Sequence, residues 1–286
     1  MPALAGTSNS ILVAHDGSPA ATAGAEVAIE IAQSQNMPVR GLYVVEGALV
    51  LDMYTNYHSE LRRTDDPGSR AELITWFEEE GEQALRGLER RCRAANVPVT
   101  TQILFGGVSD LIHREAAQSQ MLVLGRRGHG HGADSGHLGS KFRAVAHHTD
   151  RPLIIGGEPG KQQLQRLLLA YNGSEHAQGA LSWTARLQCA LSAEVVVLFV
   201  EENDNASQSS QRVQQIQRHL IQCKLANYHL LTRKGQPAAE IVAAAGEAEA
   251  DLIAMGGYHH TFLREWLVGS TLDKVLHNTL LPLLVL

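Results

Sequence analysis

The stretch that decides the fold lies near the C-terminus and reads LIAMGGYH at residues 252–259, followed after a polar segment by GST at 269–271. An apolar run that ends in glycines and leads through a polar loop into a helical pattern predicts a strand, a loop and a helix N-terminus. The free N–H groups and the positive dipole end of such a helix suit an anion. Glycine also lets the backbone approach a phosphate closely. This stretch therefore predicts an anion-binding turn.

A second copy of the stretch occurs earlier in the chain. The apolar run MLVL at residues 121–124 ends at Gly125, and a helical pattern opens later at Gly139-Ser140. Gly125 is 30 residues from Ile155, the same spacing as that between glycine 256 and the last residue of the chain. Equal spacing in the two copies predicts an internal duplication, and a period this long indicates two globular domains rather than a solenoid.

The start of each half is also duplicated. The run ILVA at residues 11–14 ends at HDGS, and LLLA at 167–170 ends at YNGS. In both, the glycine permits a tight turn and the serine is an expected N-cap of the next helix. The two halves differ mainly by an irregular stretch at 47–70, which is predicted to be an insertion in the first half.

Strands and helices alternate throughout the rest of the sequence. The first half predicts a helix to about residue 35, a helix from Ala71 and a short helix at about 110–118 capped by Ser109. Alternation of this kind implies a parallel sheet with helices on both faces, and the uniformly apolar strands agree. The predicted fold is therefore α/β, with two tandem open parallel five-stranded sheets, Rossmann-like, in domains 8–157 and 164–286.

Composition excludes several classes of function. The chain of 286 residues has a net charge of −6 with no clustered basic residues, so nucleic acid is not an expected partner. Three scattered cysteines and no CxxC favour a reducing compartment over disulfides or structural zinc. No apolar run approaches 18 residues and Met1–Ser10 lacks the pattern of a signal peptide, so membrane insertion is not expected and the predicted location is the cytoplasm.

Together these motifs resemble the universal stress protein family, in two copies that span nearly the whole chain. The family pattern is an acidic residue after the first strand, then Gly-x2-Gly-x9-Gly-Ser/Thr after the fourth. Asp16 and the motif from Gly125 to Ser140 match it in the first half, with one extra loop residue. The second half has Asn172 in place of the acid and His259 in place of the middle glycine.

The resemblance implies that each competent half binds ATP or ADP, with or without Mg²⁺. Asp16 would lie near base and ribose, while the backbone near Ala14 and Val44 would line the adenine. The implied phosphate-binding residues of the first half are Gly125, Gly128, Gly139 and Ser140. In the second half the implied base and ribose residues are Ala170, Asn172 and Val200, and the implied phosphate-binding residues are Gly256, His259, Gly269 and Ser270. A purely structural interpretation, in which these glycines only form turns and the serines only cap helices, stays open at this stage.

The departures predict that the first half binds nucleotide more strongly. A charged Asp16 makes stronger hydrogen bonds than a neutral Asn172, and Gly128 allows a closer backbone approach than His259. The extra loop residue of the first half acts in the opposite direction, because ordering it costs about 1–2 kcal/mol.

Three functions follow from these observations. The first is a nucleotide-binding stress and signalling protein whose state is read by partner proteins. The second is a scaffold of the same fold that binds partner proteins, a lipid or a metabolite instead. The third is slow ATP hydrolysis at most, since no residue stands out as a general base and no catalytic residue is assigned. A histidine-rich loop (His129, His131, His137, His147 and His148) is not assigned as a metal site, because a glycine-rich loop is a poor preorganised cage.

Assembly is the last expectation. The terminal strands around Leu153-Ile154-Ile155 and Leu283-Leu284-Val285 are apolar, and an uncovered strand edge invites pairing. The two halves are predicted to form an internal pseudo-dimer through these strands, with a homodimer of the chain as the alternative.

Overall fold

A computed structural model of the chain describes residues 9–46, 67–126, 142, 144–146, 149–158, 163–201, 206–257 and 270–286. Within these residues, strands alternate with helices as the sequence predicts, with one exception. The elements of the first half are β1 (Ile11–Ala14), α1 (Pro19–Gln35), β2 (Val39–Glu46), α2 (Pro67–Ala94), β3 (Val99–Gly106), α3 (Val108–Ala116), β4 (Met121–Leu124) and β5 (Leu153–Ile155). Those of the second half are β6 (Arg166–Ala170), α4 (Glu175–Leu191), β7 (Glu194–Glu201), α5 (Ala206–Gln222), β8 (Tyr228–Lys234), α6 (Pro237–Glu247), β9 (Leu252–Met255), α7 (Thr271–Asn278) and β10 (Leu283–Val285). The exception is that β4, β5 and β6 follow one another in these bounded elements.

The chain divides into two compact units, one with the described residues up to Arg151 and one from Pro152 onward. In the first unit the strand order is β3-β2-β1-β4, and the registers of these strands are parallel. The central strands β1 and β4 are apolar and buried, with side chains no more than 5% exposed from Ile11 to Val13 and from Met121 to Leu124. Strand β3, at the end of this order, is more polar and only partly buried.

The second unit repeats this order as β10-β9-β6-β7-β8, again with parallel registers. It also includes β5, which pairs antiparallel with β10 so that Ile154 lies opposite Leu284. The fold is thus mixed α/β with a mostly parallel sheet, as predicted. The predicted pairing of these terminal strands is present, whereas the pseudo-dimer and the boundaries 8–157 and 164–286 stay predictions.

Two helix starts differ from the sequence-based expectation. Helix α2 begins at Pro67 rather than at Ala71, because proline fits the first turn of a helix, where its missing N–H costs nothing. Only residues 47–66 of the expected irregular stretch therefore remain, and they lie outside the described residues. Helix α3 is capped by Gly107 and not by Ser109, since Gly106, at φ 150°, turns the chain directly into the helix.

A buried polar cluster ties α3 to the sheet of the first unit. The Glu115 carboxylate accepts hydrogen bonds from Arg40 at 2.6 Å and from Gln102 at 3.1 Å, and Arg114 lies 3.4 Å away. Burial of the carboxyl opposes its ionisation, but the hydrogen bonds from Gln102, Arg40 and Arg114 outweigh burial and lower the pKa of Glu115. A charged and fully bonded Glu115 therefore fastens the helix to β2 and β3.

Candidate functional site

The candidate site of the first unit lies where the strand order reverses. Strand β1 is flanked by β2 on one side and by β4 on the other, and its last residue, Ala14, pairs with both Leu42 and Leu124. The chain leaves β1 toward β2, so a crevice is expected at the carboxyl ends of β1 and β4. Strand β6 has the same position between β7 and β9, with Ala170 paired to Leu198 and Met255.

A tight turn presents Asp16 at the end of β1. Gly17 has a φ of 84°, which glycine adopts without strain, and the N–H of Ser18 donates to Oδ1 of Asp16 at 3.0 Å. The hydroxyl oxygen of Ser18 then accepts the N–H of Ala21 at 3.1 Å and caps α1. The turn thus uses one oxygen of the Asp16 carboxylate. The other, Oδ2, makes no hydrogen bond to any described residue, and the side chain is half-buried.

The turn of the second unit has the same geometry. Gly173 has a φ of 82°, and the N–H of Ser174 donates to Oδ1 of Asn172 at 3.1 Å. Ser174 in turn accepts the N–H of Ala177 at 3.2 Å. Because a backbone N–H can only donate, it orients the Asn172 amide with its oxygen inward and its NH₂ group outward. Asn172 is exposed, and Nδ2 has no hydrogen-bond partner among the described residues.

His15, which the sequence analysis did not single out, is a structural part of the first turn. Its imidazole is 5% exposed, and Nδ1 accepts the N–H of Gly17 at 3.0 Å. The proton of the neutral ring therefore lies on Nε2, which is 3.5 Å from the hydroxyl of Thr22. A histidine between a buried strand and a turn glycine is a sequence signal that could have indicated this role.

Tyr171 has the position of His15 in the second unit, and both residues donate their backbone N–H to the neighbouring strand. The Tyr171 side chain points to a different partner, because its hydroxyl lies 2.8 Å from Nδ1 of His219 on α5. Burial, with a further contribution from Cys223, raises the pKa of Tyr171 to about 12. The hydroxyl is therefore neutral at ordinary pH and bonds α5 to the end of β6.

Gly125 and Gly256, predicted to hold phosphate, both have a packing role. A Cβ on Gly125 would lie 2.7 Å from the backbone nitrogen of Ala21, and one on Gly256 would lie 2.8 Å from that of Ala177. Each glycine therefore lets the end of a strand approach the start of a helix. Their predicted contact with phosphate stays a prediction beside this role.

The other predicted residues are distributed unevenly over the described chain. Val44 lies on β2, in register with Leu104, and Val200 lies on β7, in register with Arg233. Ser270 caps α7 by accepting the N–H of Asp273 at 3.1 Å. The remaining candidates lie outside the described residues: Gly128, Gly139, Ser140, His259 and Gly269.

Charge differs between the two predicted phosphate-binding helix starts. Asp273 is in the first turn of α7 and is 7% exposed, so a carboxylate lies close to Ser270. At the same spacing from Ser140 the first half has Arg143, whose side chain lies outside the described residues. A carboxylate at a helix N-terminus competes with an anionic ligand, whereas an arginine favours one. The sequence analysis missed this difference, although the spacing alone could have shown it.

The Asp16 carboxylate also acts on strand β2. Burial raises the pKa of the Tyr43 hydroxyl, and the carboxylates of Glu80 and Asp16 raise it further. Tyr43 precedes Val44 on β2, the strand that is predicted to line the base.

In the parts of the chain that the structure describes, no group of three or more His, Cys, Asp or Glu side chains could hold a metal ion. The histidine-rich loop lies outside those parts. None of the described helices is both long and apolar enough to cross a membrane.

Comparisons with known proteins agree with this duplicated fold. The sequence model of the universal stress protein family matches residues 7–155 and again residues 163–286. A curated universal stress protein of Synechocystis sp. is 23% identical over 180 residues, which cover 63% of this chain and 62% of that relative. The match therefore spans less than two thirds of the length of the curated relative.

Two solved structures share the fold over nearly the whole chain. A universal stress protein from Archaeoglobus fulgidus superposes with a TM-score of 0.75 at 20% identity, covering 97% of this chain and 98% of that one. A protein described as a putative universal stress protein from Pseudomonas aeruginosa does so with a TM-score of 0.67 at 14% identity, covering 97% and 92%.

Proposed function

Because the chain belongs to the universal stress protein family, we propose that it binds an adenine nucleotide, ATP or ADP, in its first half. The nucleotide-bound and nucleotide-free states would be read by partner proteins in a cytoplasmic stress response. Nucleotide binding is the step that the geometry of the site supports best. No catalytic residue is assigned, and hydrolysis is not part of the proposal.

The observation that carries this proposal is Oδ2 of Asp16, which makes no hydrogen bond to any described residue. The turn holds the other oxygen, Oδ1, through the N–H of Ser18 and so orients the carboxylate. A half-buried carboxylate oxygen at a strand switch point can accept hydrogen bonds from ribose hydroxyls or from an exocyclic amine. The residues present therefore fit the sugar and base of a nucleotide, which Ala14 at the end of β1 and Val44 on β2 would border.

The experiment is a search for bound nucleotide, followed by a titration. Pure protein is heated, and the supernatant is separated by ion exchange to identify any released nucleotide. Calorimetric titration of the emptied full-length chain with ATP then gives the number of sites and their affinities. We expect one stronger site. A chain that releases no nucleotide and gives no heat with ATP or ADP would contradict the proposal.

A scaffold function is the second candidate, and the packing of the motif glycines is equally compatible with it. Gly125 and Gly256 are required by their contacts with Ala21 and Ala177 whether or not phosphate binds. A chain of this fold would therefore keep both glycines even if its crevice bound a lipid, a metabolite or only a partner protein. A calorimetric titration that shows no binding of ATP or ADP would favour the scaffold function over nucleotide binding.

The same proposal includes an internal pseudo-dimer of the two halves, supported by the antiparallel pairing of β5 with β10. Strands that are already paired within one chain leave no free edge there for a second copy. We expect the full-length chain to run as a monomer in light scattering coupled to size exclusion. A stable homodimer would indicate pairing between chains instead.

A further inference from the structure

The two turns present opposite hydrogen-bonding groups to a ligand. In the first, the N–H of Ser18 occupies Oδ1 of Asp16, and the remaining atom is the acceptor Oδ2. In the second, the N–H of Ser174 occupies Oδ1 of Asn172, and the remaining atom is the donor Nδ2. The amide cannot rotate to exchange these atoms without setting an NH₂ group against a backbone N–H. The fold itself therefore fixes the direction of the bond that each turn offers.

We infer that Asn172 makes the second site select a ligand with a hydrogen-bond acceptor at the place where the first site selects a donor. This inference rests on the proposed nucleotide-binding function and defines the ligand class of each half. The ligand atom facing Asp16 must carry a hydrogen, as a ribose hydroxyl or the 6-amino group of adenine does. The ligand atom facing Asn172 must accept a hydrogen bond, and a phosphate ester on the ribose and the 6-oxo group of a purine accept without donating. A ribose hydroxyl both donates and accepts, so it can face either turn.

Repulsion sharpens the difference between the sites. An acceptor oxygen placed against Oδ2 of Asp16 would meet a carboxylate, and a phosphate ester there would meet a like charge. Asn172 carries no charge and donates, so the same group is stabilised there. An unmet or repulsive polar contact in a site costs more than a good contact contributes. Discrimination is therefore expected for groups that only donate or only accept: the first site rejects a 6-oxo group or a phosphate ester, and the second rejects a 6-amino group.

The exposure of Asn172 and the negative charge of Asp273 on α7 both weaken ligand binding in the second half. Asn172 is exposed, whereas Asp16 is half-buried, so the bond from Asn172 competes more with water. Asp273 beside Ser270 also opposes a long anionic phosphate chain at the start of α7. A nucleotide with one phosphate on the ribose and a shorter 5′ phosphate chain would offer an acceptor to Asn172 and place less negative charge beside Asp273.

The test exchanges the two side chains and uses three probes. ADP, inosine diphosphate and adenosine 3′,5′-bisphosphate carry the same number of phosphates and differ at the base or at the ribose. Full-length chain with Asn172→Ala reports the first site, with and without Asp16→Asn. Full-length chain with Asp16→Ala reports the second site, with and without Asn172→Asp. Aspartate and asparagine have the same shape and both keep Oδ1, so equal thermal unfolding midpoints within each pair check the fold.

We expect the first site to prefer ADP, and Asp16→Asn to shift its preference toward one of the other probes by about tenfold or more. At the second site Asn172→Asp should shift the preference toward ADP by a similar factor. A shift in the inosine probe identifies the base as the contact, and a shift in the bisphosphate identifies the ribose.

Substitutions that change affinity for all three probes equally would overturn this inference and leave nucleotide binding standing. A chain that binds none of the three probes at either site would overturn the proposed function together with it.

Discussion

The two turns, His15–Ser18 and Tyr171–Ser174, have nearly the same backbone and different chemistry. Their glycines have φ values of 84° and 82°, and their serines cap α1 and α4 through hydrogen bonds of 3.1 and 3.2 Å. These shared contacts use the glycine, the serine and a single side-chain oxygen in each half. The halves differ at the first residue, His15 or Tyr171, and at the remaining polar atom of the next side chain, Oδ2 of Asp16 or Nδ2 of Asn172. The glycine conformation and the serine cap are thus the same in both halves, whereas the side-chain groups offered to a ligand differ.

The first residue of each turn also forms different hydrogen bonds in the two halves. His15 is bonded within its own turn, through Nδ1 to the N–H of Gly17. Tyr171 is bonded outside its turn, to His219 on α5. An imidazole can accept a backbone N–H only when the ring is neutral, whereas a tyrosine hydroxyl can both donate and accept a hydrogen bond. The first turn therefore depends on one residue for its local geometry, and the second uses the same position to anchor a helix.

The largest expected effect comes from breaking what the halves share. Gly125→Ala and Gly256→Ala each place a Cβ within 3 Å of backbone atoms, and backbone cannot move aside as a flexible side chain can. We expect each to lower the free energy of unfolding by about 2–3 kcal/mol, measured by urea denaturation. Gly246→Ala is the matched control, because a Cβ there has no neighbour within 4 Å. Equal stability of Gly125→Ala and the control would remove the packing role from this position.

The next largest effect is expected on nucleotide binding, when the side chains that differ between the two turns are removed. Asp16→Ala removes a charged acceptor and should weaken binding of ATP to the full-length chain by about 2 kcal/mol. Asn172→Ala removes an exposed neutral donor from the second half and should weaken binding of ATP to the full-length chain by no more than about 0.5 kcal/mol. Calorimetry with ATP compares the two. Greater damage from Asn172→Ala would mean that the second half holds the stronger site.

A smaller effect on stability is expected when the first residue of each turn is substituted. His15→Leu removes the acceptor for Gly17 and should destabilise the fold by about 1–2 kcal/mol, whereas His15→Asn supplies another acceptor and should restore part of the loss. Tyr171→Phe removes a single hydrogen bond to His219 and should cost about 1 kcal/mol. Thermal or urea unfolding measures all three. If His15→Asn is as unstable as His15→Leu, the hydrogen bond to Gly17 does not stabilise the turn.

The smallest expected effect is on stability, and it is found by substituting a buried carboxylate of the first half and an exposed carboxylate of the second half. The pKa of Glu115 is lowered in the folded chain, so its contribution is present above the unfolded value of about 4.3 and is lost as pH falls through the folded value. Glu115→Gln should cost about 1 kcal/mol at pH 7 and flatten the acid limb of stability against pH. Glu249, which pairs with Arg166 at the surface, gives the control Glu249→Gln, with no measurable change expected. An unchanged acid limb in Glu115→Gln would rule out this contribution.

Much of the fold follows from residues close together in sequence. Apolar runs such as 121–124 and 252–255 predict buried strands, and a glycine followed by a serine predicts a turn and a helix cap. These predictions succeed because the hydrogen bonds of a turn join neighbouring residues. Helix boundaries were predicted less well: the first turn of α3 depends on Gly106 and Gly107 instead of on Ser109.

The duplication, the order of strands and helices, and the two turns with Asp16 and Asn172 could all be predicted from the amino-acid sequence. The packing of Gly125 against Ala21 and the hydrogen bond of Tyr171 to His219 became visible only in the folded chain. The two groups of features differ in the distance along the chain between the residues involved. A turn is specified by dihedral preferences and hydrogen bonds among consecutive residues, whereas a glycine under a helix or a hydroxyl facing another element depends on contacts that exist only once the elements have packed.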